Sequence, residues 1–390
     1  MPWPNAADWT LACGALEACQ LLTTLRFSAR SRRIPRREGP PPSVCVVIPC
    51  KGASPSHGAL VASLARQRYD APAEFLLVLA REDDPARAPL ETLLAETGDP
   101  RLRLLVSGAR PASCSEQILN LLHGLERARP SDVVAFADSD LVLPDGWLQA
   151  LTSPLGEPGV GASTAAMLYL PSRPGFFSLL RMAWELAGIP PLDLMGCVAG
   201  HSFALRRADF ERLGVAALWR RCLSHDLSVS SLIRSAGLTT RWAVDAMPVC
   251  EEGCTARGLF GLFDKWLALF RVYQPRVWVL GALVTALKTW LLVFSIAGRH
   301  WPPLALLLGG DALNLALVAG LLRRELPEQF ARLSASYRPA ELFMALAAPL
   351  LLPVYIVNFA VSALTRSIVW GGYRYRIRGA QSISAAPAGS

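Results

Sequence analysis

Two apolar runs in this chain each stop on carboxylates. LLVLA at 76–80 leads into Arg81, Glu82, Asp83 and Asp84, and VVAFA at 133–137 leads into Asp138, Ser139 and Asp140. Much later, Asp226 follows Ser224 and His225. Carboxylates at the C-terminal ends of buried strands are poorly placed for packing and well placed to hold a metal ion and a polar ligand. In a bending loop, Asp138 and Asp140 can approach one hard divalent ion. Mg²⁺ or Mn²⁺ suits oxygen ligands and bridges diphosphate oxygens, whereas the plain alternative is a solvated turn. Asp83 and Asp84 can accept hydrogen bonds from a base or ribose, or cap a helix that starts near Pro85. Asp226 can act as general base toward an attacking hydroxyl, or N-cap a helix over 227–236. Lys51 follows an apolar run and can pair with phosphate, but no GxxxxGK[ST] sequence surrounds it, so a P-loop ATPase is unsupported. Gly196, Gly200 and Ser202 lie in the small-residue run MGCVAGHS, which permits close approach of a sugar or backbone, or a tight turn.

These residues need a scaffold. After the linker PPPS at 40–43, VCVVIP at 44–49 is a continuous apolar run, as expected of a buried parallel strand. Helical and strand patterns then alternate: helix 56–68, strand 74–80, strand 101–106, helix 115–128, strand 132–137. The alternation predicts an open α/β sheet with ligands at its carboxyl edge. A helix near Asp145, a strand over 160–170, an apolar helix over 174–188 and a helix over 226–236 ended by Gly237 extend the same unit to about residue 256. No GxGxxG follows the first strand, which argues against a dehydrogenase.

The chain has 390 residues, 52% of them hydrophobic and only 18% charged, which is low for a soluble surface. The apolar surplus lies at 9–27 and beyond 277. Residues 9–27 are just long enough to span a membrane at about 1.5 Å per residue against a ~30 Å core. Glu17 is costly there, and an amphipathic helix is the alternative. GLFGLFDKWLALFRVY at 258–273 interleaves aromatic and basic residues and fits a membrane interface. Residues 277–297 and 303–322 are candidate spans. In a third apolar stretch, 340–364, Pro349 and Pro353 permit a broken, partly re-entrant element. The net charge of +8 comes from arginines beside these segments, including Arg26, Arg30, Arg32, Arg33, Arg36, Arg37, Arg323, Arg324, Arg332, Arg338 and Arg374. That placement marks cytoplasmic membrane flanks rather than nucleic-acid binding. Nine cysteines without metal-ligand spacing read as small buried groups in a reducing compartment.

The chain resembles the membrane-bound family 21 glycosyltransferases, the ceramide glucosyltransferases, and more distantly the processive-type family 2 enzymes. The resemblance is carried by the order and spacing of VCVVIPCKGASP at 44–55, REDDPA at 81–86, ADSDLVLPDGWL at 137–148, MGCVAGHSFALRRADFERLG at 195–214, SHDLSVSSLIRSAG at 224–237 and GYRYRIRG at 372–379. Hopanoid-associated bacterial glycosyltransferases share much of this plan. The resemblance implies an α/β, GT-A nucleotide-sugar-binding sheet with N-terminal and C-terminal membrane helices. It assigns nucleotide binding to Asp84, metal or diphosphate binding to Asp138 with Asp140 as second contact, and the catalytic base to Asp226. The family's closing pattern is Gln or Arg, two residues, then Arg-Trp; here it is Leu262-Phe263-Asp264-Lys265-Trp266. Lys265 can neutralise a diphosphate but lacks the bidentate fork of arginine. CSEQILN at 114–120 is a second departure, where the ceramide enzymes are more basic.

The implied reaction is inverting transfer of a hexose, glucose from UDP-glucose, onto the hydroxyl of ceramide, with Mg²⁺ or Mn²⁺ as cofactor. A hopanoid or other membrane lipid is the alternative acceptor, followed by a polysaccharide synthase or a nonenzymatic scaffold. The expected organisation is a membrane anchor and basic linker at 1–40, a catalytic domain at 41–256, an amphipathic interface segment at 257–276, membrane helices at 277–370, and a basic then flexible tail at 371–390. The expected location is a bacterial inner membrane with the catalytic domain cytoplasmic. Nothing in the sequence defines a protein partner.

Overall fold

The computed structural model describes residues 6–31, 39–173, 175–331 and 346–389. Arg32, Arg33, Arg36, Arg37, Arg332, Arg338 and the start of the 340–364 stretch lie outside the described residues. The chain forms two compact units. One holds 34–168, 196–252 and 365–390; the other holds 1–33, 169–195 and 253–364.

The first unit is built on a sheet. Its strands are β1 (Val44–Pro49), β2 (Ala73–Leu79), β3 (Leu102–Val106), β4 (Val133–Ala137), β5 (Val160–Thr164), the short β6 (Leu168–Tyr169), β7 (Ser202–Arg206), β8 (Thr239–Trp242) and the short β9 (Val249–Cys250). Seven of them form one sheet in the order β3-β2-β1-β4-β7-β5-β8, while β6 and β9 pair separately. Strands β1 to β4 run parallel, β7 is antiparallel to both β4 and β5, and β8 is parallel to β5, so the sheet is mixed. The continuous apolar runs of β1, of β2 from Phe75 onward and of β4 follow from burial on both faces. The helix Glu116–Arg127 covers β1 and β2 through Gly124. A Cβ at that glycine would stand 2.4 Å from Val47 Cγ1 and 3.2 Å from Val78 Cγ2.

Strand order reverses between β1 and β4. β1 leads away to β2 and β3, whereas β4 lies on its other side. The loops leaving their carboxyl ends, with Lys51 on one and Asp138 and Asp140 on the other, therefore diverge around one crevice.

Where a flexible tail is expected at 371–390, the chain forms β10 (Ser367–Trp370), β11 (Tyr373–Gly379) and β12 (Ser382–Pro387), an antiparallel sheet. The cause is a two-residue alternation in β11: Arg374, Arg376 and Arg378 are exposed, while Tyr375 and Ile377 are buried. Gly371 (φ 58°) and Gly372 (φ 81°) supply the two positive-φ positions of a tight hairpin turn.

The second unit is helical. It contains Ala6–Ser31, Phe176–Leu194, Ala256–Tyr273, Pro275–Ala297, Trp301–Glu325 and Leu351–Leu364. Phe176–Leu194 falls here rather than with the α/β sheet. Two helices, Pro275–Ala297 of 23 residues and Trp301–Glu325 of 25 residues, are long and apolar enough to cross a membrane. Their faces carry exposed Leu283, Trp290, Val293, Ile296 and Leu313, a surface suited to lipid rather than water. The N-terminal helix, a predicted span, is not among the helices apolar enough to cross. It packs through an apolar cluster of Trp9, Cys13, Leu291 and Leu307 and through polar groups. Glu17 pairs with Lys288 at 2.8 Å, Lys288 also pairs with Asp311, and Thr24 Oγ1 donates to Asn314 Oδ1 at 2.8 Å. The described part of the third stretch breaks at Pro349 in a short 3-10 turn, and the 14-residue helix Leu351–Leu364 follows. At about 1.5 Å per residue this helix is too short to span straight.

Gly124→Ala should destabilise the sheet unit by about 1–3 kcal/mol through overpacking on Val47. Thermal melting in detergent, followed by circular dichroism, checks this, and an unchanged midpoint would contradict the close packing.

Candidate active site

Asp84 ends the loop after β2. Its Oδ1 accepts the backbone N–H groups of Gly52 and Ala86, each at 2.9 Å. One carboxylate oxygen therefore closes a turn just before the helix Arg87–Thr97, whose N-cap Ala86 has no side-chain cap, and ties down the loop after β1, where Gly52 has a φ of +67°. Asp83 instead pairs with Arg81 on the surface.

Lys51, which leaves β1, donates to Glu116 Oε1 and to the carbonyl of Gly371, both at 2.5 Å. The Tyr373 ring lies 5.5 Å from its ammonium. Glu116 opens the helix Glu116–Arg127, and its backbone N–H donates to the Tyr375 hydroxyl at 3.2 Å. Burial pushes the Tyr375 phenol up to about 12, so it stays a neutral hydroxyl able to accept that bond. The next residue, Gln117, donates from Nε2 to Asp138 Oδ1 at 3.1 Å. The Asp138 backbone N–H donates to the carbonyl of His201 at 3.2 Å.

Asp226 lies in the first turn of the helix His225–Ser235. The N-cap is Ser224, whose Oγ accepts the N–H of Leu227 at 3.2 Å and donates to Asp226 Oδ1. Ser224 thus takes the capping role that the sequence leaves open for Asp226. A Cβ on Gly200 would stand 2.7 Å from Asp226 Oδ2 and 3.2 Å from His225 Cε1. The small-residue run therefore admits the carboxylate itself. His225 is buried, which lowers its pKa, while Asp226 and a hydrogen bond to the Gly200 backbone oppose that shift. The hydrogen bond to Gly200 fixes the imidazole on the same small-residue run that Asp226 approaches. Ser202 serves the core, since its Oγ accepts the Trp147 indole N–H at 2.8 Å.

Four sequence-predicted residues are thereby joined. Asp84 contacts Gly52, beside Lys51. Lys51 and Asp138 contact the consecutive residues Glu116 and Gln117. Asp138 and Asp226 contact the consecutive residues His201 and Gly200. Asp140 stands near Cys250, whose Sγ is 4.0 Å from Oδ2. Lys265 and Trp266 belong to the helical unit. There Trp266 lies 5.8 Å from Trp184 and 6.1 Å from Phe263, ring centre to ring centre.

Sequence reasoning passes over Glu116, Gln117, Ser224, Gly371 and Tyr375. The signal for the first two is the CSEQILN departure itself, because Ser115 caps that helix and the next two residues reach Lys51 and Asp138.

Among the described residues, no group of three or more His, Cys, Asp or Glu side chains is arranged to hold a metal. Asp138 and Asp140 supply two carboxylates from one loop, and Mg²⁺ or Mn²⁺ commonly takes one or two carboxylates and completes its shell with substrate phosphates and water.

The chain matches the model of glycosyl transferase family 21 over residues 10–383, and it belongs to that family. It is a nucleotide-sugar-dependent glycosyltransferase, and its mixed sheet is of the GT-A type. No functionally curated protein matches it. Among solved structures it is similar to the mannosyltransferase PcManGT from Pyrobaculum calidifontis in complex with GDP-Man and Mn²⁺, at 18% identity, 91% of this chain, 99% of that chain and a TM-score of 0.49. It is also similar to GalNAc-T7 with UDP, GalNAc and Mn²⁺, at 13% identity, 61% of this chain, 50% of that chain and a TM-score of 0.40.

Gly200→Ala forces Asp226 aside. A displacement of this kind should cost about 100-fold in kcat while the donor KM holds. Initial rates against donor concentration measure it, and wild-type kcat would contradict the role of Gly200.

Proposed function

We propose that the protein is an inverting glycosyltransferase that moves a hexose from a nucleotide-sugar, UDP-glucose first, onto a membrane-lipid hydroxyl, ceramide first. A hopanoid or another membrane lipid is the alternative acceptor. The observation that carries this reading is the run of contacts linking Asp84, Lys51, Asp138 and Asp226 around the β1–β4 crevice of a family 21 chain. The two apolar, lipid-suited helices support a lipid acceptor and an integral membrane protein. Its sheet unit then works on the cytoplasmic side of a bacterial inner membrane.

In this reading Asp84 receives the nucleoside. Lys51 and Lys265 balance diphosphate charge, and for Lys51 the donor phosphate replaces the Gly371 carbonyl. Asp138 and Asp140 would hold Mg²⁺ or Mn²⁺, which supplies charge neutralisation at the diphosphate. Asp226 accepts the proton of the acceptor hydroxyl as that oxygen bonds to the anomeric carbon. The bond from that carbon to the diphosphate breaks in the same displacement, UDP leaves, and an α-linked donor yields a β-linked product. Trp266 offers a flat face for the lipid headgroup.

The test is transfer by the purified protein from a panel of nucleotide-sugars, with Mg²⁺ or Mn²⁺, to ceramide and to a bacterial membrane-lipid extract, with products weighed by mass spectrometry. Asp226→Asn should lower kcat by about 100- to 10,000-fold, the span typical of a general base. Hexosyl-ceramide lost in this variant supports the full reading. A different glycolipid changes the acceptor, a polymer indicates a synthase, and no transfer by folded protein rejects the reaction. Chelation should abolish transfer and added Mn²⁺ restore it; activity that survives chelation would reject a metal role for Asp138 and Asp140.

A further inference from the structure

The helical unit contains a polar pair on two helices that contribute to an aromatic stack. Trp184 stacks on Phe263 at 3.8 Å between ring centres and 15° between planes, and Tyr355 lies 5.7 Å away on a plane inclined 29° to it. Beside Phe263, Asp264 Oδ1 accepts a hydrogen bond from Asn358 Nδ2 at 2.6 Å. Asn358 is fully buried at 0% exposure, and Trp184 is 8% exposed.

The amide nitrogen of Asn358 faces Asp264, so its oxygen is turned away. That oxygen, Asn358 Oδ1, is buried without a hydrogen-bond partner, and so is the indole Nε1 of Trp184. One is an acceptor and the other a donor. Buried polar groups are ordinarily satisfied, and an unsatisfied acceptor and donor in one aromatic cluster are what a ligand of matching chemistry would complete. Asp264, Lys265 and Trp266 are half-buried, so the cluster reaches the surface of the unit along the helix Ala256–Tyr273.

We infer that Asn358 and Trp184, with Asp264 orienting the amide, form a headgroup-recognition site for an acceptor lipid that presents both a hydrogen-bond donor and an acceptor, such as an amide. This rests on the proposed lipid glycosyltransfer and names its selectivity. An amide N–H or hydroxyl donates to Asn358 Oδ1, and a carbonyl or hydroxyl oxygen accepts from Trp184 Nε1. Phe263 and Tyr355 hold the indole plane. A long-chain primary alcohol keeps the reacting hydroxyl but lacks the second polar group, so it leaves part of the site unsatisfied.

The experiment compares ceramide with a long-chain primary alcohol in wild type and in Asn358→Leu, which keeps the volume and removes the amide. Wild type should favour ceramide in kcat/KM, and the variant should lose about tenfold of that preference with donor KM and acceptor-independent donor hydrolysis unchanged. Equal losses on both acceptors, or a preference that persists, would overturn the site. Native mass spectrometry in nanodiscs containing ceramide reads binding without turnover. Ceramide retained by wild type and lost by the variant supports the site even if no donor is ever used, which would reject only the transfer reading. Wild type that fails to retain ceramide would overturn the inference.

Discussion

The reversal of strand order between β1 and β4 is the constraint on which the candidate chemistry depends. Parallel strands send their loops out at one edge, and at the reversal those loops part instead of covering each other. Lys51 and Asp138 leave from the two sides of that gap. They are held by consecutive residues at the start of one helix, Glu116 and Gln117. A helix N-terminus has backbone N–H groups without intrahelical partners, and here Ser115 Oγ and the Tyr375 hydroxyl accept two of them. The C-terminal sheet thus meets a need created at the crevice, through Tyr375 on Glu116 and Gly371 on Lys51.

The helical unit answers a different problem. Charge inside an apolar bundle is tolerable only when paired, and Glu17, Lys288 and Asp311 form such a group. Gly310 makes room for it, since a Cβ there would stand 2.5 Å from Glu17 Oε2. The N-terminal helix is thereby joined to the other helices by matched polar contacts. Apolar length alone would not predict that attachment.

Much of the sheet was legible because burial on both faces leaves continuous apolar runs, and VCVVIP, FLLVL and VVAFA are such runs. What sequence could not show was the antiparallel insertion of β7 between β4 and β5, since pairing partners leave no local trace. The C-terminal sheet was misread for a physical reason. Arginine at alternate positions looks like a basic flank, yet the residues between are Tyr375 and Ile377, and the period of two marks an amphipathic strand. Among the candidate site residues, Asp84 and Asp138 were visible from their places after strands. Their holders were not, because Gln117 and Gly200 gain meaning only from neighbours distant in sequence.

The two departures from the family pattern look alike in sequence and differ in structure. Glu116 stands where a more basic segment is expected, and its carboxylate is matched by Lys51, so the site keeps a cation at the edge of β1 with its position fixed from two sides. Around Lys265, the exchange from arginine removes a rigid fork, while the adjacent Asp264 is committed to Asn358. The first departure is balanced within its own contacts. The second is not balanced in this way: the cation loses its fork, and the carboxylate next to it is taken by the buried amide of Asn358.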